Sequence, residues 1–166
     1  MDQGLFIARL VFGLLMAGHG SQKAFGWFGG YGLQGTGGLL ETLGFRPGRL
    51  FAAAAAYGEV VSGLLIVLGL LGPIGPALML SVMIVAAVTV HWKHGLFKSS
   101  NGIELPLLYA TAAVSLALTG PGRLSLDALL GFQWLSTPIL ATAALIAGTA
   151  IGFANLALRQ RLPTAA

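Results

Sequence analysis

The chain has 166 residues, with 9 Lys and Arg against 5 Asp and Glu, a net charge of +4 and a mean hydropathy of +0.86. Only 8% of its residues are charged and 56% are hydrophobic, more apolar surface than a globule of this size can hide, which excludes a soluble domain and a disordered chain. The basic residues are scattered at segment ends rather than gathered in a patch, which excludes a nucleic-acid-binding face, and the absence of cysteine excludes disulfides, thiolate metal sites and thiol nucleophiles.

A membrane span needs about 20 mostly apolar residues. The first candidate runs from Leu5 to Ala24. It lacks the basic leader and small-residue cleavage site of a signal peptide, and Arg9 sits inside it. The segment Gly30-Tyr31-Gly32-Leu33-Gln34-Gly35 follows. It matches G-x-G-x-x-G, but no strand precedes it and no βαβ unit surrounds it, so it reads as a glycine-rich connector and no nucleotide is expected. Thr36 to Leu43, with Gly44 as a stop, is a candidate interfacial helix capped at Thr36.

The second span runs from Leu50 to Leu71, and the third from Ile74 to Trp92, opened by Pro73 and Pro76. The fourth is shorter, Ile103 to Thr119, ending at Gly120-Pro121-Gly122. Ser125 to Trp134 is a second candidate interfacial helix, with Ser125 as cap and Asp127 in the first turn. The fifth span runs from Pro138 to Leu158. On it, Ala144, Gly148 and Gly152 form a ridge of small residues suited either to packing within the chain or to a homo-oligomer contact.

In a five-span arrangement Lys23, Arg46, Arg49, Lys93, Lys98, Arg159 and Arg161 fall on one side, while only Arg9 and Arg123 fall nearer the other. The positive-inside rule then puts the N-terminus outside and the C-terminus in the cytoplasm. Trp27, Trp92 and Trp134 fall at span ends, where aromatic belts form.

The residues that ask for a function are the ionisable ones inside spans, because a charge at bilayer depth normally faces a partner or a cavity. Arg9, His19 and Lys23 fall within an arc of roughly 80° on the first span. Glu59 lies about 13 Å into the second, and end-to-end alignment of the spans sets it level with Leu15, between His19 and Arg9. Arg9 and Glu59 are therefore either a structural ion pair or part of a functional polar cavity that Glu104 of the fourth span also lines. His19, His91 and His94 are open to three readings: interfacial side chains, a proton or quinone-headgroup contact, or haem or metal ligation. No spacing motif supports the last, and no metal site is expected.

The block Arg9-Leu10-Val11-Phe12-Gly13, then His19-Gly20, Gln22-Lys23 and Phe25-Gly26-Trp27-Phe28-Gly29-Gly30, resembles the first span of the DoxX family. Glu59, His91, Glu104 before Leu105-Pro106, and Gly120 to Asp127 extend the similarity softly to about residue 127. The resemblance implies an all-α polytopic membrane bundle with a four-helix core over residues 1–127. Residues 128–166 then add an interfacial segment, a fifth transmembrane helix and a short cytoplasmic tail. It also implies a bacterial inner-membrane location and kinship with the small subunit of thiosulfate:quinone oxidoreductase. On that basis the chain is a candidate subunit of a redox system, quinone-associated or anchoring a redox partner protein. Its polar cavity would be lined by Arg9, His19, Lys23, Glu59, His91 and Glu104. The rival is a small transporter or non-enzymatic scaffold with a buried Glu/Arg site.

Overall fold

The computed structural model describes residues 2–160, all of them helix, turn or loop. Arg161, counted above among the basic residues, lies outside them. The helices are α1 (Asp2–Phe25), α2 (Gly32–Thr42), α3 (Gly48–Leu68), α4 (Ile74–Ala86), α5 (Glu104–Thr119), α6 (Leu126–Leu130) and α7 (Pro138–Ala157). Helix α4 continues through a π-turn, Ala87–His91, and a 3-10 turn, Trp92–His94. Helices α1, α3, α7 and the extended α4 are each long and apolar enough to cross a membrane, and α5 is an apolar helix of 16 residues, about 24 Å. The span limits expected from hydropathy agree with these within three residues.

Glycine sets how α1 meets α3. A Cβ on Gly13 would lie 2.7 Å from the Gly63 carbonyl oxygen, one on Gly20 would lie 2.6 Å from that of Ala56, and one on Gly63 would lie 2.6 Å from the Ala17 amide. The two backbones touch because these three positions carry no side chain. This seam corrects the expected register. Glu59 is level with His19 and not with Leu15, one turn or about 6 Å away, and Arg9 is level with Gly69. Aligning the ends of two apolar stretches placed the helices by their lengths, whereas glycine contact places them in fact.

The ridge on α7 packs inside the chain. Gly148 lies against the backbone of Ala77 and Gly152 against Ser81 and Ile84, all on α4, and both glycines are buried. Ala144 is half-buried on the same helix. The ridge is therefore occupied and not free for a second copy of the chain. Helix α5 closes the bundle against α4, and the core between α1, α3, α4 and α5 is filled by Met16, Ile66, Met79, Met83, Tyr109, Ala113 and Leu116. Outward, Ile7, Val11, Leu14, Ile139, Ile146 and Phe153 are exposed, as lipid contact requires.

The first candidate interfacial helix forms, and of the second, Ser125 to Trp134, only Leu126–Leu130 is α-helix, ended by Gly131 (φ 75°) before a 3-10 turn at Gln133–Ser136. Helix α2 starts at Gly32, four residues before the expected cap, so Thr36 lies inside it and is buried. The preceding glycines let the chain turn at Gly26 (φ 74°) and Gly32 (φ 63°) and begin the helix early. In α6 the cap is as expected: Ser125 Oγ accepts from the Ala128 amide at 3.2 Å. The C-terminal segment returns to the loop before α3, where the Gln160 amide donates to the Gly44 carbonyl at 2.8 Å. The N-terminus is held at the other end, where Asp2 Oδ1 accepts from the Arg123 amide at 3.1 Å. The segments bearing Lys23, Arg46, Arg49, Lys93, Lys98 and Arg159 thus gather at one end of the bundle, called here the basic end.

Candidate functional site

The structure divides the expected polar cavity into three places. Arg9 is at the end opposite the basic one. It is 3% exposed, and its guanidinium donates from Nε to the Ile66 carbonyl (3.0 Å), from Nη2 to Val67 (3.0 Å), and from Nη1 to Leu124 (2.9 Å) and Pro121. Ile66 and Val67 belong to the last turn of α3, where carbonyls run out of helical partners, although Ile66 also accepts from the C-capping Gly69 amide at 3.1 Å. A cation there also meets the negative end of the helix dipole. Nearby Asp127, fully buried, accepts from the Leu71 amide at 2.9 Å and the Gly72 amide at 2.6 Å. Arg9 and Asp127 together tie the α3–α4 turn to the loop before α6. Arg9 therefore does not pair with Glu59, and no Glu/Arg site exists among the described residues; the one-turn register difference is the reason.

His91 and Glu104 are also elsewhere. His91 Nδ1 lies 2.8 Å from the Asn101 carbonyl, His94 Nδ1 lies 2.9 Å from that of Val90, and Glu104 accepts from the Lys98 amide at 2.7 Å. These contacts shape the α4–α5 loop at the basic end. Each bonds a backbone group of that loop and not Glu59, so the expectation that His91 and Glu104 line a common cavity with Glu59 is corrected. Among the described residues no group of three His, Asp or Glu could hold a metal ion.

What the fold does bring together is Lys23, Glu59 and His19. Lys23 Nζ lies 2.5 Å from the Glu59 carboxylate, the one salt bridge among the described residues. Glu59 is 2% exposed, while a third of the Lys23 side chain is accessible. The stem of Lys23 turns inward, because the register sets Glu59 within its reach. His19, one turn below Lys23 on α1, is exposed and packs edge-on against Tyr109 of α5, ring centroids 5.9 Å apart.

The ion pair borders a cavity of about 330 Å³ between α2, α3, α4 and α7. That volume is in the range of small-molecule sites. Its walls are mostly apolar, with Leu39 and Leu40 from α2, Phe51 and Gly58 from α3, and Val82 and Val85 from α4. The π-turn of α4 also borders it, through Thr89 and Val90. No proline or glycine explains that turn, and π-turns recur where helices meet ligands. Two hydroxyl groups stand in the lining, Ser81, which the sequence reading passed over, and Thr36, which it took only for a helix cap. Thr36 is 9% exposed and Ser81 is 6% exposed, and neither side chain makes a hydrogen bond among the described residues. The fully buried side-chain oxygen without a partner among the described residues is Ser136 Oγ; those of Thr36 and Ser81 instead open on the cavity, where a ligand oxygen can bind them beside the ion pair. Ser81 and Tyr109 sit in hydrophobic runs that carry no motif, and only the packing reveals them.

The DoxX family model matches residues 4–92, more than half of the chain and all of the helices that carry Lys23, Glu59 and the cavity walls except α7. The chain belongs to the DoxX family. No curated protein and no solved structure matches it. This DoxX protein is an integral, multi-pass membrane protein, with α5 to α7 lying beyond the matched stretch.

Proposed function

We propose that this DoxX protein is the quinone-associated membrane subunit of a redox system, with the quinone headgroup held beside Lys23 and Glu59. The observation that carries the reading is an apolar cavity of about 330 Å³ bordered by a buried ion pair. A quinone presents two carbonyl oxygens on an apolar ring with an apolar tail, and the cavity offers matching partners. The Lys23 ammonium donates to one oxygen, the Ser81 and Thr36 hydroxyls donate to another, and the valine and leucine walls accept the ring and the first part of the tail. Bound there, a quinone supplies two-electron, two-proton redox chemistry. The chain's own contribution is to orient the headgroup, exclude water with the apolar walls, and keep a carboxylate beside it that can hold a proton. Electrons would come from a redox partner protein, as the chain has no cysteine to carry a thiol relay.

The basic end is proposed as the cytoplasmic one, in a bacterial inner membrane, because it carries six of the eight basic residues described and the opposite end only Arg9 and Arg123. The binding test is retention of a short-chain quinone by purified protein in lipid nanodiscs, followed by tryptophan quenching. Lys23→Met and Ser81→Ala should each weaken binding at least tenfold. Binding unchanged in both would remove the site.

A further inference from the structure

The cavity beside Lys23 and Glu59 is a groove with a closed end and an open side. Helices α3 and α7 both pack on α4, so α4 forms the floor and α3 and α7 the two walls. Helix α2 crosses the basic end as a roof. It is held there by close backbone approach, since a Cβ on Gly48, the first residue of α3, would strike the Gly37 carbonyl, and by Glu41, which accepts from the Gly48 amide at 2.9 Å. Just after α2, Phe45 plugs the same end. It borders the cavity, is 1% exposed and packs against Phe51 with ring centroids 5.2 Å apart. The two residues before Phe45 are strapped down from outside. Arg159 Nε donates to the Leu43 carbonyl at 2.5 Å, and the Gln160 amide donates to that of Gly44 at 2.8 Å.

The side of the groove is not covered. Three of its lining residues remain exposed: Leu39 on the roof, Ala54 on α3 and Ile151 on α7. Ala54 lies six residues from the start of α3 and Ile151 six from the end of α7, so each is about 9 Å in from the basic end. The polar layer of a bilayer is about 5–7 Å thick on each side, and an opening at this depth faces hydrocarbon. Asn155, one turn nearer the basic end, also borders the cavity and donates to the Ile151 carbonyl at 3.1 Å.

We infer that the cavity is loaded from within the bilayer, through a mouth between α3 and α7, by a membrane-dissolved amphiphile whose chain stays in that mouth, while Phe45 and its strap close the groove to water at the basic end. The class of ligand follows from the two openings compared. A water-borne solute must displace a buried phenyl ring or cross hydrocarbon. A chain-bearing lipid enters sideways, its small polar head reaching Lys23, Glu59 and the Ser81 hydroxyl and its chain passing between Ala54 and Ile151. A volume of about 330 Å³ is at the small end of the range for ligand sites, about 300–1,000 Å³, so a long chain is not housed whole and most of it remains among the lipids. This deepens the proposed function, because it rests on the same cavity, but it does not depend on the head being a quinone.

The test uses no quinone. Gly58→Cys puts the chain's only thiol in the cavity, where its Cβ meets Val82 at an ordinary 3.7 Å. Protein in nanodiscs is treated either with a pyrene maleimide carried in the lipid or with a sulfonated maleimide confined to water. The ratio of lipid-borne to water-borne rate should be at least a hundredfold higher at Gly58→Cys than at Ser99→Cys in the exposed α4–α5 loop. Added to Gly58→Cys, Ile151→Trp should slow the lipid-borne reaction at least tenfold, whereas Ile146→Trp, also outward on α7 but off the cavity, should not. Phe45→Ala should speed the water-borne reaction at least tenfold. Met16→Ala, as deeply buried but in the core between α1 and α5, loosens the fold without opening the roof and should not. A thiol reached equally well by the water-borne reagent, by way of Lys23 or the roof, would overturn the inference. So would the two tryptophans acting alike, or the two alanines acting alike. If the mouth passes and no quinone binds, the lipid route stands and the quinone falls; if quinone binds and the water-borne reagent reaches the thiol, the quinone stands and the mouth falls.

Discussion

Replacing Arg9 by methionine should destabilise this protein more than any other single change of a basic residue except Lys23. Arg9 is 3% exposed and holds four carbonyl oxygens from two separate stretches of chain, Ile66 and Val67 at the end of α3, and Pro121 and Leu124 in the loop before α6. Methionine fills much of the same volume and donates nothing. Each buried acceptor left without a partner costs about 1–3 kcal/mol; Ile66 keeps its bond from the Gly69 amide, and water admitted at the loop will satisfy some of the other three. Two acceptors remaining unpaired, together with loss of the cation from the C-terminus of α3, gives a loss of about 3–5 kcal/mol. Arg9→Lys keeps the charge but has three donors on a single nitrogen and cannot span both stretches, so it should lose about half as much. Arg123→Ala, on an exposed side chain at the same end, should stay within about 0.5 kcal/mol of the parent. The assay is reversible unfolding in mixed micelles titrated with SDS. A loss below about 1 kcal/mol for Arg9→Met would refute the reasoning and return Arg9 to the list of candidates for a functional cavity.

The Lys23–Glu59 pair should behave as a unit: Lys23→Met alone should cost about 3–5 kcal/mol, and the double variant Lys23→Met/Glu59→Gln should be more stable than it, with Glu41→Gln nearly neutral in the same titration. Along the α1–α3 seam, Gly20→Val should cost at least about 3 kcal/mol, because its first carbon would strike the α3 backbone, whereas Gly18→Val, with nothing within 4 Å, should be tolerated; equal losses would mean that glycine contact does not set the register. Since the chain has no cysteine, Ser99→Cys and Gln133→Cys each provide a single labelling site in an exposed loop. A membrane-impermeant maleimide added to intact cells should label only the second, and the reverse pattern would invert the topology. Gly58→Leu should fill the cavity while leaving the ion pair intact, abolishing quinone binding with a stability change below about 1 kcal/mol; binding that survives it would place the ligand elsewhere.

Span positions were legible in the sequence because twenty apolar residues in a row leave few alternatives, and α1, α3, α4 and α7 start and stop close to the expected residues. The turn chemistry was legible too, at Ser125 and Gly44. What hydropathy does not encode is how far one helix slides along another. Glu59 was recognised as the important buried acid, but its partner was assigned to Arg9 by matching span ends, when three glycines lock a register one turn away. The same glycine argument applied to α1 and α3 from the start would have paired Gly13 and Gly20 with Gly63 and Ala56 and so found Lys23. His91 is grouped with the site by depth and Glu104 by the face it shows on its span, whereas the α4–α5 loop takes both for its own backbone. Ser81 carries no spacing signal and Thr36 reads only as a helix cap, and their significance comes from hydroxyls that open on the cavity once the helices pack.

The most direct test of the central claim, that the cavity beside Lys23 and Glu59 holds a quinone, is to locate the ligand on the chain. A photoreactive azidoquinone, activated in nanodiscs containing the purified protein, should attach to α2 near Leu39 and Leu40 and to α4 between Val82 and Val90, and an excess of unmodified quinone should suppress both. Attachment confined to the outward residues Ile139, Ile146 and Phe153, or spread evenly over all lipid-facing positions and insensitive to competition, would contradict the claim.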